Sequence, residues 1–499
     1  MTVTTVSPFA PTDQGAQAIQ RSLVLAGGGM RVSYQAGVLA ALEEAGLRFH
    51  HLDGTSGGTM NLSMLLTGQS SAEMGERWRT LDPRGFSTLS PWPDYLRTFR
   101  WPGLGSPRGL REKVFPHLGI DADLIRGAGG LTGTYNICNF ATKTAEVIEH
   151  TDIDLDLLVA AVSLPVLMPV VTRSGTPYTD AVWVRDSNVP EAVRRGSNEV
   201  WLVWCIGNTG VYHNGLFRQY VHMLETAANG SLGRDLAYVA AQWPDRPVRL
   251  HVIKPQHPIP MDSAYYFGRV DASALIDLGY QDACRYLDDP RPVSAPWDHS
   301  PTEMSEAPPG ATVRLVLGGP FAAGDLSPVE GARVGAHQGT SVALHLQVQA
   351  RDAGRAGTEK TPLSVTGDVS LPGQRAHTLI EEGTAELSEG GLTLRVGWHC
   401  RDEARSLVVA PTSDRPVHAV TLTAGANDGG VLGAGTVSLG WRELARSLAS
   451  LHATDCDKTA QAVKARASLA LEVLRHGRLL SYKAGRRSGP GTTDHHHAR

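Results

Sequence analysis

Gly54-Thr55-Ser56-Gly57-Gly58 decides the reading of this chain. The pentad lies between a short apolar run, Leu47 to Asp53, and a helical stretch that continues to Leu66 and stops at Gly68. A Gly-x-Ser-x-Gly pentad between strand and helix holds a serine on a tight, strained turn, with its hydroxyl presented to an incoming carbonyl. The flanking glycines remove Cβ atoms that would clash in that turn. One strand upstream, Ser22 to Ala26, ends in a second glycine run, Gly27-Gly28-Gly29-Met30-Arg31, which opens a helix predicted over Val32 to Ala45. Consecutive glycine N–H groups at a helix start point at developing negative charge. Preorganised donors of this kind contribute about 3–4 kcal/mol each to an oxyanion. Arg31 is placed to hold that loop or an anionic head group.

Other readings of the two motifs are weaker. A P-loop would end in Gly-Lys-Ser/Thr, and a dinucleotide fingerprint would need a glycine where Val32 stands. A Ser-His-Asp hydrolase of the α/β-hydrolase type places several strands before its serine; here only one strand and one helix precede the serine strand. His50 and His51 lie along that strand and are read as structural.

Outward from the motifs, Arg21 to Asp289 alternates short apolar runs with helical stretches, which predicts a layered α/β domain. Further strands are expected at 134–140, 199–206 and 248–253, with helices at 216–228 and 272–287. A proline-rich linker covers 290–304. Beyond it the apolar period becomes two: Val342, Leu344, Leu346 and Val348 share one face, as do Leu392, Leu394, Val396 and Trp398. An antiparallel sandwich or barrel with a helical tail from about 457 to 482 follows over 305–483. Residues 1–20 read as a polar arm and 484–499 as a loose tail.

Composition narrows the function classes. The 499 residues exceed one ordinary core, so two or three domains are expected. A net charge of -4 carries no nucleic-acid footprint. Five scattered cysteines, never spaced C-x-x-C, fit neither a disulfide scaffold nor a zinc ribbon and suit a reducing compartment. With no signal-peptide pattern at the N-terminus and no apolar run of ~20 residues, the expectation is a cytoplasmic protein that meets lipid, if at all, from the surface. No cofactor and no metal ligand are named by the motifs.

Several separate segments resemble the patatin-like phospholipase family. GGGMRVSYQAGVL (27–39) is similar to its oxyanion loop and first helix, although Val32 stands where the family has a glycine. GTSGGTMNLSMLL (54–66) is similar to its serine elbow, Asn61 included. AAVSLPVLMPV (160–170) matches its segment with two prolines, here Pro165 and Pro169. YTDAVWVRDSNVP (178–190) resembles the segment of the catalytic aspartate, with Asp180-Ala181 as its Asp-Gly/Ala pair, and IDLGYQDACRYL (276–287) the helix that closes the domain. The segments run in family order over about residues 20–289.

The resemblance implies a three-layer α/β/α fold and a Ser-Asp dyad. Ser56 would be the nucleophile and Asp180 its base. Gly27, Gly28 and Gly29 would form the oxyanion hole, supported by Arg31, Gly54, Gly58 and Ala181. The implied activity is hydrolysis of fatty-acyl esters, of the phospholipase A or lysophospholipase type. Acyl transfer or neutral and sterol ester cleavage by the same dyad is the alternative, and a non-catalytic lipid-binding protein a second. The region VLGAGTVSLGWRELARSLASL (431–451) with the following helix is similar, diffusely, to the β-rich extension of some cholesterol-oxidase-like glucose–methanol–choline oxidoreductases; no flavin is implied.

Two features admit either a structural role or lipid contact. Trp92, Tyr95, Phe99 and Trp101, among Arg97 and Arg100, read first as a locally packed loop core and second as a lid over an acyl groove. Arg475, His476, Arg478, Lys483, Arg486 and Arg487 make the last helix end basic, which complements the helix dipole or meets anionic lipid.

Overall fold

A computed structural model describes residues 7–10, 19–86, 103–206, 215–255, 259, 271–294, 303, 310–350, 363–374, 377–388, 391–400, 403–412, 417–425, 429–454, 456 and 459–480. The lid candidate at 92–101 and the side chains of the basic helix end lie outside them.

The first sheet is built from β1 (Arg21–Leu25), β2 (His51–Thr55), β3 (Thr132–Asn139), β4 (Thr144–Glu149), β5 (Val171–Arg173), β6 (Thr176–Asp180), β7 (Glu199–Val203), β8 (Arg249–Ile253) and β9 (Val293–Ser294). Their order is β5-β6-β3-β2-β1-β7-β8-β9, with β4 also on β3. β3, β2, β1, β7 and β8 run parallel; β4, β5, β6 and β9 add antiparallel edges. Val293 and Ser294, expected in the linker, thus extend this sheet.

Alternation within the buried strands makes the three layers. On β1, Leu23 and Leu25 point into one core with Trp201 and Val203 of β7. Val24 points into the other, with Val200 and Leu202. Helices α1 (Ser33–Glu44), α2 (Gly58–Leu66) and α3 (Ser71–Thr80) contribute to the first core. α4 (Val189–Arg194) and α5 (Leu216–Gln242) contribute to the second. α5 runs fourteen residues past the predicted 228, because no glycine or proline stop overcomes its buried stripe of Leu232, Leu236 and Val239. α6 (Ala272–Asp288) lies against α1. Their backbones nearly touch: a Cβ on Gly37 would fall 1.8 Å from Ile276 O, and one on Gly279 would fall 2.0 Å from Tyr34 O. The arm read as polar also contributes, for Phe9 is fully buried, with its ring centroid 5.7 Å from that of Phe49.

The second sheet contains β10 (Gly310–Ala323), β11 (Ser341–Ala350), β12 (Leu363–Ser370), β13 (Thr378–Leu379), β14 (Glu382–Ser388), β15 (Gly391–Cys400), β16 (Glu403–Pro411), β17 (His418–Ala424), β18 (Val431–Val437) and β19 (His452–Thr454). The antiparallel path β11-β10-β18-β17-β16-β15-β14-β12 closes because β12 also pairs with β11, so the β-rich region is a barrel and not a sandwich. Its apolar positions, including Leu344, Leu394, Leu407 and Val420, share one core. Helices α7 (Pro328–Gln338), α8 (Trp441–Ser450) and α9 (Thr459–Leu480) complete it. The barrel docks on the first unit through β12. Gln281 Nε2 donates to Val365 O at 3.1 Å, and Arg79 is ion-paired to both Asp277 and Asp368. Among the described residues no helix is long and apolar enough to cross a membrane.

Candidate active site

Sheet register brings the predicted site residues together. Gly54 lies opposite Leu25 of β1, Thr55 opposite Asn136 of β3, and Ile137 opposite Asp180 of β6. Ser56 follows β2 directly, Gly27 follows β1 after one residue, and Asp180 closes β6, so three separate strand ends converge. β1 and β2 contribute the carboxyl ends at which parallel sheets place ligands, whereas β6 reaches the site antiparallel, across β3.

Ser56 has φ +52°, the left-handed region that a non-glycine residue rarely occupies, and the residue is 5% exposed. Its glycines act by close approach. A Cβ on Gly58 would fall 2.1 Å from Leu25 O, and one on Gly54 would fall 3.1 Å from Leu62 Cδ2. Helix α2 can therefore start directly against β1. Val32, the departure from the family pattern, fits under this turn, because the space a Cβ on Gly57 would need lies 2.7 Å from Val32 Cγ1.

Asp180 is fully buried, and burial pushes its carboxyl up to about 7 against the opposing pull of the Ser56 hydroxyl and the Val182 N–H. Val182 N donates to Oδ1 at 2.9 Å, while Oδ2 has no partner at full hydrogen-bond geometry among the described residues. The hydroxyl of Ser56 thus lies near the carboxylate without a closed bond; such contacts tighten when substrate is bound. Asp180 N donates to Ser163 O at 3.1 Å, so the two-proline segment fixes the end of β6. Ala181, fully buried, begins the turn that follows.

The glycine loop is held from behind. Trp78 Nε1 donates to Asn61 Oδ1 at 2.8 Å, Asn61 Nδ2 to Gln35 Oε1 at 2.9 Å, and Gln35 Nε2 to Ala26 O at 2.7 Å. Cys205 Sγ donates to Gly27 O at 3.0 Å. Arg31 is buried; its Nε donates to Gly28 O at 3.1 Å and its Nη1 pairs with Glu225 at 2.7 Å, so it holds the loop. The N–H groups of Gly28, Gly29 and Gly57 have no protein acceptor among the described residues. Gly27 N–H is engaged, donating to Asp186 Oδ1 at 3.1 Å.

Asp186 is a residue that motif reading passed over. It is fully buried and pushed up to about 8, first by burial and then by the charge of Asp180. Its only available signal was a second aspartate within the quoted 178–190 segment. Also missed was the support behind the elbow. Asp53, pushed up to about 7 by burial, accepts from Thr134 Oγ1 at 2.6 Å and Asn136 Nδ2 at 2.7 Å. His51 bridges Ser22 Oγ and Thr134 Oγ1 at 2.9 and 2.8 Å, which is the structural role expected of it.

Exposed apolar residues gather where α5 meets the two-proline segment. Tyr220 OH donates to Pro165 O at 2.6 Å, and Leu216, Tyr220 and Met223 share one stripe of α5. Leu216 is 90% exposed and Val166 is 63% exposed, and Met223 and Leu104 are also exposed. Val166 holds φ +74°, an outlier for a β-branched residue.

Residues 23–193, from β1 to α4, match the model of the family described as Patatin-like phospholipase. The resemblance read from the motifs is shown for that stretch, and with it the three-layer fold. Hydrolysis of lipid acyl esters is the general activity the match supports. The crystal structure of VipD from Legionella pneumophila is similar at 11% identity and a TM-score of 0.29, covering 58% of this chain and 71% of that one. No curated protein matches.

Proposed function

We propose that the protein hydrolyses fatty-acyl esters of lipids through a Ser56–Asp180 dyad and an acyl-enzyme. The observation that carries this reading is the convergence of a strained serine, a fully buried carboxylate and free loop N–H groups at neighbouring strand ends.

Ser56 Oγ attacks the ester carbonyl carbon while its proton passes to Asp180. The carbonyl oxygen becomes an oxyanion facing the N–H groups of Gly28, Gly29 and Gly57, with Gly27 held in the loop by Asp186. Collapse breaks the bond to the alcohol, which leaves with the proton from Asp180. Water then attacks the acyl-enzyme, again through Asp180, and releases the fatty acid and the free serine. A carboxylate near 7 is a far better base for this purpose than one at the ordinary value. The exposed Leu216, Met223, Leu104 and Val166, grouped where α5 meets the two-proline segment, support a lipid substrate, since they offer an acyl chain apolar surface.

A panel of phospholipids, lysophospholipids, neutral glycerides and sterol esters, read by mass spectrometry, tests the reading. Fatty acid released by the intact chain and not by Ser56→Ala supports it. No release from any class removes it.

A further inference from the structure

The seam between the two units carries a cluster that the hydrolase site does not use. His345 on β11 is the register partner of Asp368 on β12, and His377 immediately precedes β13, which pairs with β12 at Asp368. Both imidazoles aim Nδ1 at one oxygen: His345 Nδ1 lies 3.0 Å and His377 Nδ1 2.9 Å from Asp368 Oδ1. We propose that His345, Asp368 and His377 bind a divalent transition-metal cation of the zinc type.

The geometry suits a small cation. Tetrahedral zinc with bonds of about 2.0–2.1 Å spaces its ligand atoms about 3.3 Å apart. The two measured separations fall just short of that, and all three ligand atoms lie within 4.8 Å of one another. Slight widening of the pair contacts would seat the ion, with a fourth position left to water. The donor set, two imidazoles and one carboxylate, is that of sites with an open position.

The surroundings supply what ligands of this kind need. Asp368 Oδ2, the oxygen turned away from the imidazoles, faces Arg79 Nη1 at 3.4 Å. His377 Nε2, opposite its inward nitrogen, lies 3.7 Å from Glu76 Oε1, so a carboxylate stands behind a ligating imidazole. Arg79 is one cation shared among three carboxylates, Asp277 at 2.9 Å, Asp368 at 3.4 Å and Glu76 at 4.0 Å, which leaves an excess of negative groups around the imidazoles. That excess is what a divalent cation would neutralise.

The site is rigid at its base and open at its rim. The Asp368 side chain is 1% exposed, whereas His345 and His377 are 37% and 28% exposed, so solvent reaches the imidazoles. A close strand approach holds the pair: a Cβ on Gly367 would fall 2.2 Å from His345 O. The bound cation would staple the barrel to α3 through Asp368, Arg79 and Glu76.

The test is zinc titration of the full chain after chelator treatment, with cobalt substitution as a spectroscopic reporter of coordination. His495, His496 and His497 are replaced by alanine throughout, because a run of histidines binds zinc by itself. His345→Ala and His377→Ala are compared with this background; both side chains are partly exposed, and metal-free melting curves check that each variant is folded. The expected result is one zinc per chain, bound at least tenfold more weakly in each variant, with the cobalt spectrum lost in both. No stoichiometric binding, or weakening in only one variant or in neither, overturns the proposal.

Discussion

The backbone N–H of Gly27 donates to Asp186 Oδ1 at 3.1 Å, and the same oxygen would stand 2.2 Å from a Cβ on Gly27. A second buried carboxylate is therefore packed directly against the loop beside Ser56, within the electrostatic reach of Asp180. In the proposed dyad the two acids would do different work: Asp180 must be ionised to take a proton, whereas Asp186 serves best as a neutral group that accepts from the loop without adding charge near an oxyanion.

Hydrolysis should therefore follow a bell-shaped pH profile. The acid limb rises as Asp180 ionises near 7, and activity falls as Asp186 ionises near 8, because a second negative charge disfavours the anionic transition state. Asp186→Asn keeps an acceptor for Gly27 N–H but cannot ionise. Its profile should keep the acid limb and lose the alkaline one. A pH–rate series on a soluble short-chain ester checks this, and an alkaline limb unchanged in the variant would count against the role given to Asp186.

Asp180→Asn should abolish turnover and yet stabilise the fold at alkaline pH. Between the ordinary carboxylate value and about 7 the folded chain keeps a proton that the unfolded chain has lost, so stability falls as pH rises through that window. The amide escapes this cost. At pH 8 the variant should gain ~1–4 kcal/mol, and at pH 4 close to nothing. Denaturant melts at the two pH values measure the difference; equal effects at both would contradict it.

The support chain behind the loop predicts a quieter effect. Trp78→Phe removes the donor to Asn61 Oδ1, leaving a buried acceptor unpaired, at a cost of about 1–3 kcal/mol. Because Asn61 holds Gln35 and Gln35 holds Ala26 O, the loop should shift and kcat should fall by about tenfold, with KM little changed. Thermal melts and steady-state kinetics on the variant test both parts.

The local structure of the candidate site was legible wherever it depends on a backbone demand. Ser56 needed glycines around it, the Gly27–Gly29 loop needed a helix start, and the barrel strands needed a period of two; each leaves a short-range pattern. What stayed hidden depends on distant pairing. Asp53 and Asp186 look like ordinary aspartates until the sheet order buries them, and Asn136 becomes a support for the elbow only because β3 lies beside β2. The closure of the barrel rests on β11 pairing with β12 across a connection whose length gives no hint of it. Phe9 sat in a polar arm, and only the docking of that arm on Phe49 shows it to be core.

The proposed hydrolysis rests on Ser56 as a nucleophile activated by Asp180. Labelling the full chain with an active-site fluorophosphonate and mapping the adduct by peptide mass spectrometry tests it most directly. A single adduct on Ser56 is expected, absent in Ser56→Ala and formed far more slowly in Asp180→Asn. An adduct on another serine, no adduct, or an unchanged labelling rate in Asp180→Asn would contradict it.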